Sequence, residues 1–370
     1  MDRCPVELWL KIVALACTDG GYTGRSLSLV SRSMRDIVEP VRFLSVSLID
    51  EKQLLAFSGL VAHFSHPPVI QHLFVSVQLI FWGHEAMSAE KVAELEHAFN
   101  ATLYIAAPNV QTLVIHDPPN FDATCNDLLF PALRDLSIPT LSQFGPELDG
   151  YTRFPSLRRL HLSSYHCFPD FWPKLVRFVP SLTHLRLSGI NKDSSISPFL
   201  RILLDVPPPK RLNGTYVMGR DDQYAPGSAE ANEATTVASK LSALEAIYVQ
   251  PLEYRNSGWC GTGSIMHGQM KSGLRGIARD YSRVQGAREL FLLPDALSYN
   301  VEEARRDWLE MVESGAGPWS DRPAKMVGGA TSTSLRPGFS GEERGAYEVP
   351  PPQPTLVKMV SSHMAVTFAN

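Results

Sequence analysis

The chain has 370 residues, with 34 lysines and arginines against 38 aspartates and glutamates, so its formal net charge at pH 7 is −4. This balance excludes a protein that binds nucleic acid through an overall positive charge. Hydrophobic residues make up 44% of the chain and charged residues 19%. Such a composition excludes disorder throughout and predicts a large apolar core.

The N-terminal residues and the cysteines indicate where the protein resides. Acidic residues and a proline near the start do not form the basic region and apolar core of a secretory signal. The longest apolar stretch, 69–82, contains polar side chains and is shorter than the ~20 residues that span a bilayer. Five widely spaced cysteines without a Cys-x-x-Cys pair indicate neither a disulfide scaffold nor a zinc site. We therefore expect an intracellular protein, cytoplasmic, nuclear or both, with no membrane partner.

Two short amphipathic helices are predicted at the N-terminus, over about 5–16 and 27–38, with a polar loop at 18–25 between them. Pro5 suits a first helical turn, where its missing N–H is no loss. Apolar residues recur at helical spacing in both helices: Leu8, Ile12 and Leu15 in the first, and Val30, Met34 and Ile37 in the second. A module this small buries little by itself, so its apolar face is expected to pack on the rest of the chain or on another protein.

One pattern, Pro-x-apolar-x-x-Leu-x-apolar, recurs four times in the centre of the chain. The copies begin at Pro108, Pro131, Pro155 and Pro180 and carry Leu113, Leu136, Leu160 and Leu185 at the shared leucine position. These leucines are 23, 24 and 25 residues apart, which is the spacing of a leucine-rich repeat. The alternating apolar residues predict a β-strand in each copy. A single such strand is unstable alone, so the copies predict a parallel solenoid with the intervening segments on its far side.

Weaker copies of the pattern extend the array in both directions. They predict further strands at 44–48, 69–75, 241–249 and 287–292. The segments between strands predict helices at 50–64, 88–106, 170–179 and 274–284. The expected fold class is therefore α/β, with about eight parallel strands and helices on the convex side.

Two insertions interrupt the array, at about 205–240 and 255–273, where proline, glycine, serine and other polar residues predict loops. An amphipathic helix after Pro294 is expected to cap the exposed end of the solenoid. Beyond it the composition turns to glycine, proline and serine, which predicts a mostly disordered tail. The predicted organisation is a helical module at 1–42, a solenoid at 43–314 and a tail at 315–370.

The N-terminal helices resemble the F-box motif. That motif opens with Leu-Pro-x-Glu-Leu, continues with an isoleucine four residues later and ends with Leu-x-x-Val-Cys/Ser-Lys/Arg-x-Trp. The matching residues are Pro5, Glu7, Leu8, Ile12, Leu27, Val30, Ser31 and Arg32. Cys4 stands where the family has its opening leucine, Met34 stands where it has tryptophan, and the loop between the helices is longer. The resemblance covers residues 4 to about 44.

The resemblance implies a function. F-box proteins dock on a SKP-type adaptor of a cullin-RING ubiquitin ligase, and the adaptor-binding residues implied here are Pro5, Leu8, Ile12, Leu27, Val30 and Met34. An F-box followed at once by leucine-rich repeats is similar to the substrate receptors of SCF-type ligases. We therefore expect a substrate-recognition subunit that reaches a cullin scaffold through its adaptor and binds a target protein. The alternative is a leucine-rich-repeat scaffold unrelated to ubiquitin, whose N-terminal helices are a structural cap.

Side chains that alternate with the inward leucines are expected on the concave face of the sheet, where solenoids bind proteins. The residues predicted to contact a partner there are His116, Asp135, Arg159, His161, His184, Arg186 and Tyr248. Four of them, two arginines and two histidines on adjacent strands, suit an acidic or phosphorylated segment, and the alternative is a solvated strand face. No nucleotide-binding, hydrolase or metalloprotease motif occurs, so we expect no catalytic residues, metal or cofactor.

Overall fold

The structure, a computed structural model, describes residues 5–64, 66–77, 87–116, 128–140, 153–164, 171–191, 196–207, 235–236, 238–254, 262–284, 288–296 and 299–319. Most of the insertion predicted at 205–240 lies outside these ranges, as does the predicted tail after Trp319. The described residues belong to one compact unit, Met1–Pro323. None of the described helices is long and apolar enough to cross a membrane.

Eight strands of the described residues form one open parallel sheet in which each strand pairs with its neighbours in sequence. They are β1 (Ser45–Leu48), β2 (His72–Ser76), β3 (Thr112–His116), β4 (Asp135–Ile138), β5 (Arg159–Leu162), β6 (His184–Ile190), β7 (Ala246–Pro251) and β8 (Glu289–Leu292). The four repeat leucines lie side by side in register across β3 to β6, as their spacing predicts. The structure is therefore mixed α/β, as the sequence predicts.

The recurring prolines open a turn before the strand. The N–H of Leu133 donates to the carbonyl of Phe130 (3.4 Å), and the same bond joins Leu157 to Phe154 (3.3 Å). Proline is the second of the four residues in each turn, where its fixed φ is already the one that the turn needs. The apolar residues on both sides of the proline are buried. The proline therefore sets the direction in which the chain enters each strand.

A layer of helices covers one face of the sheet. It consists of α4 (Glu51–Val61), α5 (Ala89–Ala106), α6 (Phe171–Phe178), α7 (Ile196–Leu203) and α8 (Thr262–Val284). Their apolar residues and the inward residues of the strands form one continuous core. Helix α4 is capped at its N-terminus, because the Asp50 carboxylate accepts from the N–H of Gln53 (2.7 Å) and the Gln53 side chain accepts from the N–H of Ile49 (3.0 Å).

Helix α8 begins at Thr262, inside the segment that the sequence predicts to be an insertion at 255–273. Its glycines and serines disfavour a helix, but Met270, Leu274 and Ile277 recur at helical spacing and are buried in the core. A Cβ at Gly273 would lie 2.7 Å from the Ser197 hydroxyl oxygen of α7, so glycine permits the close approach of these two helices. Tertiary packing outweighs local propensity here.

Three helices, not the two that the sequence predicts, form the N-terminal module: α1 (Val6–Ala16), α2 (Tyr22–Ser28) and α3 (Arg32–Val38). The additional helix arises from the predicted loop, because the Asp19 carboxylate accepts from the N–H (3.1 Å) and the hydroxyl (2.6 Å) of Thr23. The Ser31 hydroxyl accepts from the N–H of Met34 (3.0 Å) and caps α3.

The C-terminal helix α9 (Val301–Val312) lies on the face of the sheet opposite the main core, where it contacts β2 and β3. A 3₁₀ turn at Gly317–Trp319 follows it. The sequence places this helix at the end of the solenoid, and that placement is wrong. The helix crosses the face instead because Phe74 and Val114 are apolar there and bury Trp308 completely.

Candidate protein-binding surfaces

The N-terminal module has a small interior of its own. Val13, Cys17, Met34 and Val38 are buried together, and Leu27 packs against them from a partly buried position. Burial raises the pKa of the Cys17 thiol to about 11, so this cysteine is a neutral packing residue. Two of the six predicted adaptor-binding residues, Leu27 and Met34, thus help to hold the module together.

Other apolar residues of the module are exposed. Leu8 retains 49% of its accessible surface, Ile12 53% and Val30 65%, and Pro5 is exposed as well. Leu15 and Leu29, which are not among the residues that match the motif, are exposed at 79% and 73%. We call Leu8, Ile12, Leu15, Leu29 and Val30 the apolar surface of the module. Three of these residues, Leu8, Ile12 and Leu15, recur at helical spacing and therefore lie along one side of α1.

The loop between α1 and α2 attaches the module to the first strand. The N–H of Gly20 donates to the Ser45 hydroxyl (3.1 Å), and the N–H of Ser47 donates to the carbonyl of Gly20 (3.2 Å). Gly20 has a φ of +82°, and a Cβ there would lie 2.8 Å from the Cβ of Ser47, so a side chain is excluded. Gly20 therefore joins the module to the sheet, while Leu8, Ile12 and Val30 remain exposed.

The seven residues predicted to bind a partner all lie on β3 to β7, on the face of the sheet opposite the main core. The register places Arg159 beside His184, and His161 beside Arg186, as the strand alternation predicts. Arg186 in turn lies beside Tyr248. Asp135 accepts a hydrogen bond from the Arg159 guanidinium on the next strand. We call this side of the sheet the polar face.

His161 is the centre of a buried polar network on this face. Its two ring nitrogens lie 3.0 Å from the hydroxyls of Ser137 and Ser188, so one nitrogen donates and the other accepts. The Arg186 guanidinium donates to the side chains of Ser188 (3.2 Å) and Gln250 (2.9 Å). Burial lowers the pKa of His161 well below its ordinary value, and this histidine is neutral at pH 7.

The chain's own C-terminal segment, residues 299–319, covers the polar face. We call it the strap. His116 donates through Nε2 to the carbonyl of Tyr299 (3.0 Å), and Arg186 donates to the carbonyl of Pro318. Trp319 packs edge-on against Tyr248, with ring centroids 5.9 Å apart. As a result, five of the seven residues are buried: His116, Asp135, His161, Arg186 and Tyr248.

The alternating strand pattern predicts the residues of the polar face, but no pattern predicts the strap residues that meet them. The hydroxyl of Tyr299 donates to the Asp307 carboxylate (3.0 Å), and burial raises the pKa of both groups. The helical spacing of the apolar residues in 301–312 does predict that one side of α9 is buried. It does not say which surface buries that side, because periodicity carries no information about the partner.

The described residues contain no group of three or more histidine, cysteine, aspartate or glutamate side chains that could hold a metal ion. What these surfaces offer chemically is apolar area on the module and hydrogen-bonding side chains beneath the strap. The sequence matches no protein-family model, and comparison with curated proteins and with solved structures finds no match.

Proposed function

We propose that the chain is the non-catalytic substrate-recognition subunit of a cullin-RING ubiquitin ligase. In this role the N-terminal module docks on a SKP-type adaptor as an F-box, and the leucine-rich-repeat array binds the target protein. Other subunits transfer the ubiquitin, so the contribution of this chain is to hold the target near them.

The observation that supports this proposal most strongly is the exposed apolar surface of the module. If the N-terminal helices were only a cap, Leu8, Ile12 and Val30 would be expected to pack against the strands that they cap. They retain about half or more of their accessible surface instead. An apolar surface of this kind is typical of a site that another protein covers.

The opposing observation concerns the interior of the module. Met34 is buried and Leu27 is partly buried, as the cap interpretation expects. This favours the second candidate function, an interaction scaffold unrelated to ubiquitin. The two candidates differ in whether the apolar surface binds an adaptor.

Binding to a purified SKP-type adaptor separates the two candidates. We expect the unmutated chain to form a stable complex on size exclusion, and Leu8→Asp together with Val30→Asp to weaken it at least 100-fold. Two buried charges at an apolar contact cost several kcal/mol, and about 2.7 kcal/mol is already a 100-fold change. Both residues are exposed in the free chain, so circular dichroism should show an unchanged fold.

Matched changes elsewhere serve as the control. Leu60→Asp together with Tyr104→Asp alters two residues of the helical layer that are exposed at 46% and 72%, and adaptor binding should not change. Absence of binding by the unmutated chain would overturn the proposal. Equal binding by the Leu8→Asp, Val30→Asp variant would also overturn it.

A further inference from the structure

The residues buried between the strap and the sheet differ in type from the residues of the main core. Its contact with the polar face includes Trp308, Trp319, Met311 and Tyr299 from the strap, with Arg186 from the sheet. Tryptophan, tyrosine, methionine and arginine are the residues enriched where two separate proteins meet. The main core consists almost entirely of aliphatic residues and phenylalanine, as the interior of a single domain does.

The strap is also attached in a way that permits its removal. It follows β8, the last strand of the sheet, so no strand has to separate for it to leave. Among the described residues it adds no strand to the sheet, and its hydrogen bonds to the sheet include those of the His116 and Arg186 side chains and one from Arg305 to the Ser47 hydroxyl (3.4 Å). The parallel ladder of the sheet therefore does not depend on it.

Within the strap, a fixed turn shapes the segment for this face. Gly317 has a φ of +55°, and a Cβ there would lie 2.5 Å from the Cγ of Met311 and 2.7 Å from the carbonyl oxygen of Asp307. The turn thus folds Trp319 back against α9 and toward β6 and β7. A segment that is already bent into its bound shape loses less entropy on binding.

From these observations we propose that the strap is an intramolecular ligand, which keeps the polar face closed until a target protein displaces it. The inference rests on the proposed function in taking the polar face as the surface that binds the target. A tethered segment acts at an effective concentration on the order of millimolar, so a target must bind the face more tightly than the strap does to open it.

The chemistry of the strap also indicates the class of target segment that fits. Such a segment is an amphipathic helix that carries a tryptophan. Its indole would take the place of the Trp308 indole against Phe74 and Val114. A backbone carbonyl or an acidic group near its end would accept from Arg186, as the carbonyl of Pro318 does. The target is therefore recognised as a short helix followed by a turn.

Hydrogen–deuterium exchange of the unmutated full-length chain tests whether the strap opens alone. We expect the amides of α9 to exchange at least about tenfold faster than those of β3 to β6, because the strap opens while the sheet stays folded. Equal exchange rates in α9 and the sheet would overturn the proposal, since the strap would then open only in global unfolding.

A labelled peptide with the sequence of residues 299–319 provides the second test. By fluorescence anisotropy, it should bind the full-length Trp308→Ala variant at least tenfold more tightly than the unmutated chain, because the weakened strap leaves the face available. Glu302→Gln, on the exposed side of α9, is the matched control and should bind the peptide as weakly as the unmutated chain does. Equal affinity for Trp308→Ala and Glu302→Gln would overturn the proposal.

These measurements are independent of the adaptor. A strap that opens in a chain without adaptor affinity would overturn the proposed function alone. If the chain binds the adaptor but the strap amides exchange hydrogen at the same rate as the sheet amides, only the inference about the strap is overturned. If Trp308→Ala does not fold, the exchange measurement on the unmutated chain decides the matter.

Discussion

At the scale of single residues, burial changes what the histidines of the polar face can do. As side chains on a strand surface, His161 and His184 suit the binding of an acidic segment. In the folded chain His161 is fully buried between two serine hydroxyls, and burial lowers its pKa. The strand alternation predicts the face on which it lies, but its protonation depends on the strap, which comes from residues over a hundred positions later.

Acid is therefore expected to destabilise the protein through these histidines. At pH 7 His161 is neutral in both the folded and the unfolded chain. Below about pH 6.5 the unfolded chain takes up a proton at this residue and the folded chain does not, so the free energy of unfolding falls as the pH falls. At pH 5 this loss is at most about 2 kcal/mol for one histidine, the limit in which the folded chain takes up no proton at all. His72, whose pKa is lowered to about 4 by burial, adds a loss of the same sign.

Urea denaturation at pH 7, 6 and 5 measures this dependence. The His161→Gln variant keeps hydrogen-bonding groups for both serines but does not titrate, so its stability should fall less steeply between pH 7 and 5. An identical slope in the variant and the unmutated chain would contradict a buried neutral His161.

At the scale of elements, spacing predicts the strands better than it predicts the segments between them. The four repeats lie in register because an alternating apolar pattern has one way to bury its apolar side. Helix α8 depends on a contact that is distant in sequence, because Gly273 matters only through Ser197, which lies opposite on α7. Helix α2 forms inside a predicted loop through a local contact, in which the Asp19 carboxylate accepts from the N–H of Thr23 four residues later.

Arg288 shows how one side chain connects such elements. Its guanidinium donates to the carbonyls of Leu203, Leu241 and Leu244 (3.1 Å to Leu241 and 3.2 Å to Leu244), and so ties the end of α7 to the segment before β7. Replacing it by methionine leaves these carbonyls without their donor. We expect Arg288→Met to lower the free energy of unfolding by about 1–3 kcal/mol.

The matched control for this change is Arg283→Met. Arg283 is exposed at 74%, and its nearest ion pair, with Asp280, is long at 4.0 Å. Thermal denaturation of this variant should differ from that of the unmutated chain by no more than about 0.5 kcal/mol. A loss of stability no larger in Arg288→Met than in Arg283→Met would show that the carbonyl contacts contribute nothing.

At the scale of the whole molecule, the two candidate binding surfaces differ in their exposure to solvent. The apolar surface of the N-terminal module is exposed, whereas the polar face of the sheet is covered by the strap. The order of the sequence predicts a module followed by an array of parallel strands. It does not predict that the C-terminal helix returns across β2 and β3, because neither the position nor the pattern of that helix distinguishes the end of the sheet from its face.

The proposed function requires that the module recruits the ligase while the sheet receives the target. Affinity purification of the intact chain from its own cells, with mass spectrometry of the bound proteins, tests both parts at once. We expect a SKP-type adaptor and a cullin in near-equal amounts with the chain, and the loss of both from the Leu8→Asp, Val30→Asp variant. Recovery of the chain with neither adaptor nor cullin would contradict it.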